Sequence, residues 1–66
     1  MTTFKIIFER NGRRWQHGAG SSNTSGIQWN DRALAERTML AEMRLDPALA
    51  GQVLTAQEAD QLIIGQ

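Results

Sequence analysis

Asn11-Gly12 stands between two runs of strand-forming residues: Thr3-Phe4-Lys5-Ile6-Ile7-Phe8-Glu9 before it and Arg14-Trp15-Gln16-His17 after it. This dipeptide limits the fold more than any other feature of the chain. A type I′ reversal needs positive φ at both central residues, and Asn-Gly adopts that geometry most readily. A β-hairpin over residues 3–17 follows. The tight turn also sets the register. Arg10 then faces Arg13, Phe8 faces Trp15, Ile6 faces His17 and Phe4 faces Ala19, all on one side of the ribbon. Glu9–Arg14, Ile7–Gln16 and Lys5–Gly18 occupy the other side. The first side carries the apolar area and is expected to face the core. Ile7 is the exception, an apolar residue on the polar side that needs a cover from another element or from a second chain.

The next segment, residues 18–26, is Gly-Ala-Gly-Ser-Ser-Asn-Thr-Ser-Gly, which reads as a flexible connection unable to anchor a core. Residues 26–29 offer a short third strand, which would make a three-stranded meander. Asn30 is the expected N-cap of a helix over 31–45, with Asp31 favourable in the first turn. Trp29 and Leu34 would close a hydrophobic staple over that start. Leu34, Thr38, Ala41 and Leu45 form the expected inward stripe, with Ala35, Met39 and Met43 as a second stripe. Asp46-Pro47 ends the helix, since a residue before proline avoids helical geometry. A short turn from Pro47 closes at Gly51, and Gln52-Val53-Leu54 links on. Thr55-Ala56-Gln57-Glu58 is a capping box that opens a last helix over 56–64. The expected architecture is one α+β domain: the hairpin packed on a main helix and a short C-terminal helix.

The chain has 66 residues, no cysteine and a single histidine. A chain this short buries only about 60% of its extended surface, so its core is small. Without cysteine it has neither disulfides nor thiolate metal sites, and one histidine makes no metal cluster. No metal or cofactor is expected. Self-association or a bound macromolecule becomes the natural source of extra stability, with Ile7, Met39 and Met43 as candidate contacts between two copies. For the methionines the plainer reading is extra core. No apolar run approaches the ~20 residues of a membrane span, and the N-terminus lacks a signal-peptide pattern. The cytoplasm is the expected compartment.

Candidate chemistry concentrates in few places. Ser21 or Ser22 with His17 and Asp31 could be drawn as a nucleophilic trio, but no nucleophile-elbow pattern surrounds the serines, and catalysis is not expected. The loop Gly20, Ser21, Ser22, Asn23, Thr24 and Ser25 could cradle a phosphate or nucleotide, yet it lacks the lysine and spacing of a P-loop. The hairpin tip carries the strongest signal. Arg10, Arg13 and Arg14 surround the turn, with Trp15 and His17 next along the ribbon. Two arginines facing across a strand pair repel, and a partner's carboxylates or phosphates would relieve them. Arg and Trp are also enriched at binding hot spots. The plainer alternative has the arginines solvated, Trp15 packed on Phe8 and His17 at the edge of the core.

Charge balances overall but not along the chain. Lys5, Arg10, Arg13 and Arg14 face only Glu9 in the first twenty residues, whereas Asp46, Glu58 and Asp60 stand without a cation in the last third. The two ends can attract each other, or the basic end can meet an acidic partner. In length and plain composition, and in nothing else, the chain is similar to phage-encoded inhibitors of bacterial host machinery such as anti-CRISPR proteins. The expected function is a non-catalytic inhibitor or regulator that occludes a site on a larger protein or nucleoprotein. A small nucleic-acid-binding module is the alternative, weakened by the zero net charge. Sequestration of a phosphorylated ligand by the Gly/Ser loop is the second alternative.

Overall fold

The computed structural model describes residues 2–19 and 26–64. The order of elements is β1 (Phe4–Arg10), β2 (Arg13–Gln16), α1 (Arg32–Leu45), β3 (Ala50–Thr55) and α2 (Ala56–Ile64). The protein is α+β, with a three-stranded antiparallel sheet in the order β2-β1-β3. Asn11 and Gly12 have φ of 54° and 78°, as the type I′ turn requires. Arg10 faces Arg13, Phe8 faces Trp15, Glu9 faces Arg14 and Ile7 faces Gln16. The His17 amide continues the ladder by donating to the Ile6 carbonyl at 2.9 Å. Beyond it the expected Phe4–Ala19 and Lys5–Gly18 pairs do not form. Gly18, at φ 81°, turns the chain away. Phe4 instead exchanges two backbone hydrogen bonds of 2.8 Å with Trp29.

That exchange is a single bridge, so residues 26–29 are not the third strand. The third strand is β3, the segment expected to be a turn and a link, and it pairs with the opposite edge of β1 from Phe4↔Thr55 to Glu9↔Ala50. The sheet is therefore not a meander: the chain leaves β2, crosses through α1 and returns beside β1. Gly51 does not close a turn but lies inside β3 beneath α1. A Cβ there would stand 2.9 Å from Met39 Cγ and 3.1 Å from the Phe8 ring, so any larger residue would have to push Met39 and Phe8 aside.

The core consists of Ile6, Phe8, Val53 and Ala35, with Phe4, Trp15, Trp29, Met39, Met43 and Leu49 packed around it. The inner stripe of α1 is thus Ala35, Met39 and Met43, not Leu34, Thr38, Ala41 and Leu45. Leu34 and Leu45 are 46% and 83% exposed. Small Ala35 is fully buried on the sheet-facing side of the helix, and Met39 lies over Gly51, the adaptable methionines filling the gap between helix and sheet. Trp29 packs against the core, while Leu34 remains half-exposed. The N-cap is Asp31 rather than Asn30, its carboxylate accepting from the Ala33 amide at 2.9 Å. Ala19, in the segment expected to anchor nothing, is buried.

α2 closes the other face of the sheet, and Ile7 finds its cover there at 2% exposure. Lys5, only 4% exposed, projects into the same layer. Its ammonium donates to Gln16 Oε1 at 3.0 Å and to Asp60 Oδ1 at 2.9 Å, while Gln16 Nε2 donates to the same carboxylate oxygen at 3.2 Å. One polar triangle therefore ties β1, β2 and α2 together. The capping box at the start of α2 is formed: Thr55 Oγ1 accepts from the Glu58 amide at 3.2 Å, and Glu58 Oε1 accepts from the Thr55 hydroxyl at 2.9 Å and its amide at 3.2 Å. The Thr55 side-chain and backbone hydrogen bonds hold the Glu58 carboxyl below its ordinary pKa.

Candidate functional site

The hairpin tip is positioned by β1, the central strand, which runs out of the sheet into the Asn11-Gly12 turn. Strand alternation places Arg10, Arg13 and Trp15 on the face toward α1, and Glu9 and Arg14 on the face toward α2. The three arginines then have different surroundings. Arg10 Nη1 donates to Asp46 Oδ2 in a partly exposed ion pair. Arg14 donates through Nε and Nη2 to Glu9 Oε1 at 3.2 and 3.1 Å. Arg13 is exposed and makes no ion pair or hydrogen bond among the described residues. Pairing with Asp46 screens Arg10 from Arg13 across the ribbon, which explains how two facing guanidiniums are tolerated. Such exposed pairs contribute only about 0.2–1 kcal/mol each, so a partner can displace them readily.

Trp15 lies half-buried beside the tip, with its ring centroid 6.2 Å from that of Phe8 at a tilt of 44°. Its indole is thus held in place by the core while part of it remains accessible. An open groove of about 660 Å³ passes from Arg10, Asn11 and Arg13 along Trp15 to Gly18 and Ala19. The corner therefore combines an unpaired guanidinium, a rigid aromatic surface and a concave path. That combination can clamp a carboxylate in a bidentate pair while burying apolar area beside it.

The structure does not bring every expected residue to this corner. His17 lies farther along the ribbon, its ring edge-on to Phe8 at 5.4 Å, and its amide belongs to the sheet ladder. It sits at the core edge, four residues from Arg13. The ligand loop of Gly20, Ser21, Ser22, Asn23, Thr24 and Ser25 lies outside the described residues. Asp31, the acid of the drawn trio, is occupied in capping α1. Met39 and Met43 pack on the core, and Ile7 is buried under α2, so in the folded chain the three candidate self-association residues serve the interior.

Two residues near the tip were missed in the sequence reading. Asp46 was read as a helix stop and turn cap. It does cap the turn, its Oδ1 accepting from the Ala48 amide at 3.1 Å, but Oδ2 also holds Arg10. Arg44, in the last turn of α1, is thereby brought to the same end of the molecule, exposed and without an ion pair among the described residues. The charge gradient along the chain was the available signal, since it gave the basic N-terminal part a reason to meet Asp46. A further feature has no sequence signature: Trp29 Nε1 is buried without an acceptor among the described residues.

Among the described residues no group of histidine, aspartate and glutamate side chains could hold a metal ion, and no helix is long and apolar enough to cross a membrane. The chain matches no family model, no curated protein and no solved structure.

Proposed function

We propose that this chain is a non-catalytic binding protein, of the inhibitor or regulator kind, that occludes a site on a larger protein or nucleoprotein partner. The hairpin tip is the docking element, with the C-terminal end of α1 beside it. The observation that carries the reading is Arg13: an exposed guanidinium without a partner among the described residues, at the end of the hairpin and next to a tryptophan packed against the core. Chain stability gives no reason for an arginine opposite Arg10, whereas an acidic side chain on a partner does. A phage-type inhibitor of host defence fits the small size and plain composition.

A protein surface is favoured over bare nucleic acid by the charge arrangement. Arg10 and Arg14 are engaged with Asp46 and Glu9, and the whole chain carries no net charge. A reader of phosphate backbones needs several free cations and binds with steep salt dependence. The test is affinity capture from lysate of the host cell. Arg13→Glu is expected to lose a partner that the unmodified chain and an Arg37→Glu control both retain. Equal capture by all three removes the hairpin tip as the docking element. A gel shift with duplex or single-stranded DNA at low salt is expected to show no retardation, and retardation that fades as salt rises would favour the nucleic-acid reading.

A further inference from the structure

The sheet has two edges, and they differ. The β2 edge carries Arg13 and Arg14, the usual charged protection of an edge strand. The β3 edge, Ala50-Gly51-Gln52-Val53-Leu54-Thr55, has no charge and no proline, and its pairing with β1 is continuous. Which of its backbone groups point outward follows from the ladder. The carbonyl of Ile6 accepts from His17, and Phe4 exchanges bonds with Trp29, so even-numbered residues of β1 turn toward β2. Thr3 turns the other way, its carbonyl accepting from the Ala56 amide at 2.9 Å. Lys5, Ile7 and Glu9 therefore bond to Leu54, Gln52 and Ala50, and Gly51, Val53 and Thr55 turn outward. The Thr55 amide is satisfied by Glu58. The amides and carbonyls of Gly51 and Val53 have no partner among the described residues.

We propose that this edge pairs with the β3 edge of a second copy of the chain, antiparallel about a two-fold axis at Gln52. In that register Gly51 of each copy faces Val53 of the other. Each facing pair exchanges two hydrogen bonds, so all four outward groups on each copy are satisfied at once. The occupant is argued from self-complementarity. The outward groups are spaced equally on both sides of Gln52, the strand carries no charge to repel its own copy, and the Gln52 amide has both a donor and an acceptor to offer its twin. α1 packs over β3, so the axis also sets two copies of α1 side by side. The two sheets become one of six strands, with the arginine corners at opposite rims. Dimerisation therefore leaves the proposed docking element open and stands or falls apart from it.

Analytical ultracentrifugation of the purified chain, from micromolar to millimolar concentration, tests the pairing. The unmodified chain is expected to sediment at twice the chain mass. Gln52 is exposed in the monomer, so Gln52→Lys and Gln52→Glu leave the fold intact, which circular dichroism checks. Each places like charges opposite each other at the axis, and each is expected to dissociate the dimer several-fold more readily than the unmodified chain. An equimolar mixture of the two variants is expected to restore the dimer as a heterodimer. An unmodified chain that stays monomeric, or variants that dimerise as well as it does, would overturn the proposal. A mixture that forms no heterodimer would overturn the Gln52 axis.

Discussion

Phe8→Ala is expected to abolish the cooperative unfolding transition at room temperature. Phe8 is 2% exposed on the central strand, and its ring meets Trp15, His17 and the backbone at Gly51. Removing a buried phenylalanine costs about 3–5 kcal/mol, the sum of lost burial and the cavity left behind. A core in a chain of this size rarely supplies more than about 3–5 kcal/mol in total. Loss and supply are equal in size, so the native state has no margin left. Thermal melts at matched protein concentration check this, because self-association would add stability by mass action. A sharp transition within a few degrees of the unmodified protein would mean that the sheet–α1 core is not where the stability resides.

The second large effect is on the opposite face of the sheet. Asp60→Ala leaves the Lys5 ammonium, 4% exposed, with only the Gln16 amide oxygen among the described residues. Removing one partner of a buried ion pair costs about 3–5 kcal/mol, because the other charge stays desolvated. The Asp60 side chain is 48% exposed, which lets water approach and places the loss near the low end, about 3 kcal/mol. Lys5→Met should be far milder. Asp60 can then hydrate and still accept from Gln16, and the apolar side chain suits a buried site, so the expected loss is about 1 kcal/mol. Urea titration of the two variants measures the difference. Equal losses would show that Lys5 is not held by charge compensation, and that α2 is anchored by its apolar contacts alone.

The hairpin was legible because Asn11-Gly12 acts through local backbone geometry, and the register follows from it without knowledge of the rest of the chain. The capping box at Thr55 and the helix stop at Asp46-Pro47 were legible for the same reason. β3 was not, because Ala50-Gly51-Gln52 has no strand-forming side chains. Its conformation is set by pairing with β1 and by the fit of Gly51 under Met39 and Phe8, both of which are tertiary. The inner face of α1 was not legible, because hydrophobicity favours its leucines whereas the packing selects small Ala35 and adaptable methionines. At the tip, the arginine cluster was visible in the sequence. The Glu9–Arg14 pair follows from the hairpin register, but that Asp46 takes Arg10, leaving Arg13 without a partner among the described residues, depends on a contact that crosses the fold.

The central claim is that the arginine corner is where this protein meets its partner. Hydrogen exchange on the native complex recovered from cells, compared with the free chain, tests it most directly. Binding through the tip predicts slowed exchange over residues 10–15 and the last turn of α1, with α2 unchanged. Exchange at the tip as fast as in the free chain, with protection confined to α2 or to the far side of the sheet, would contradict it.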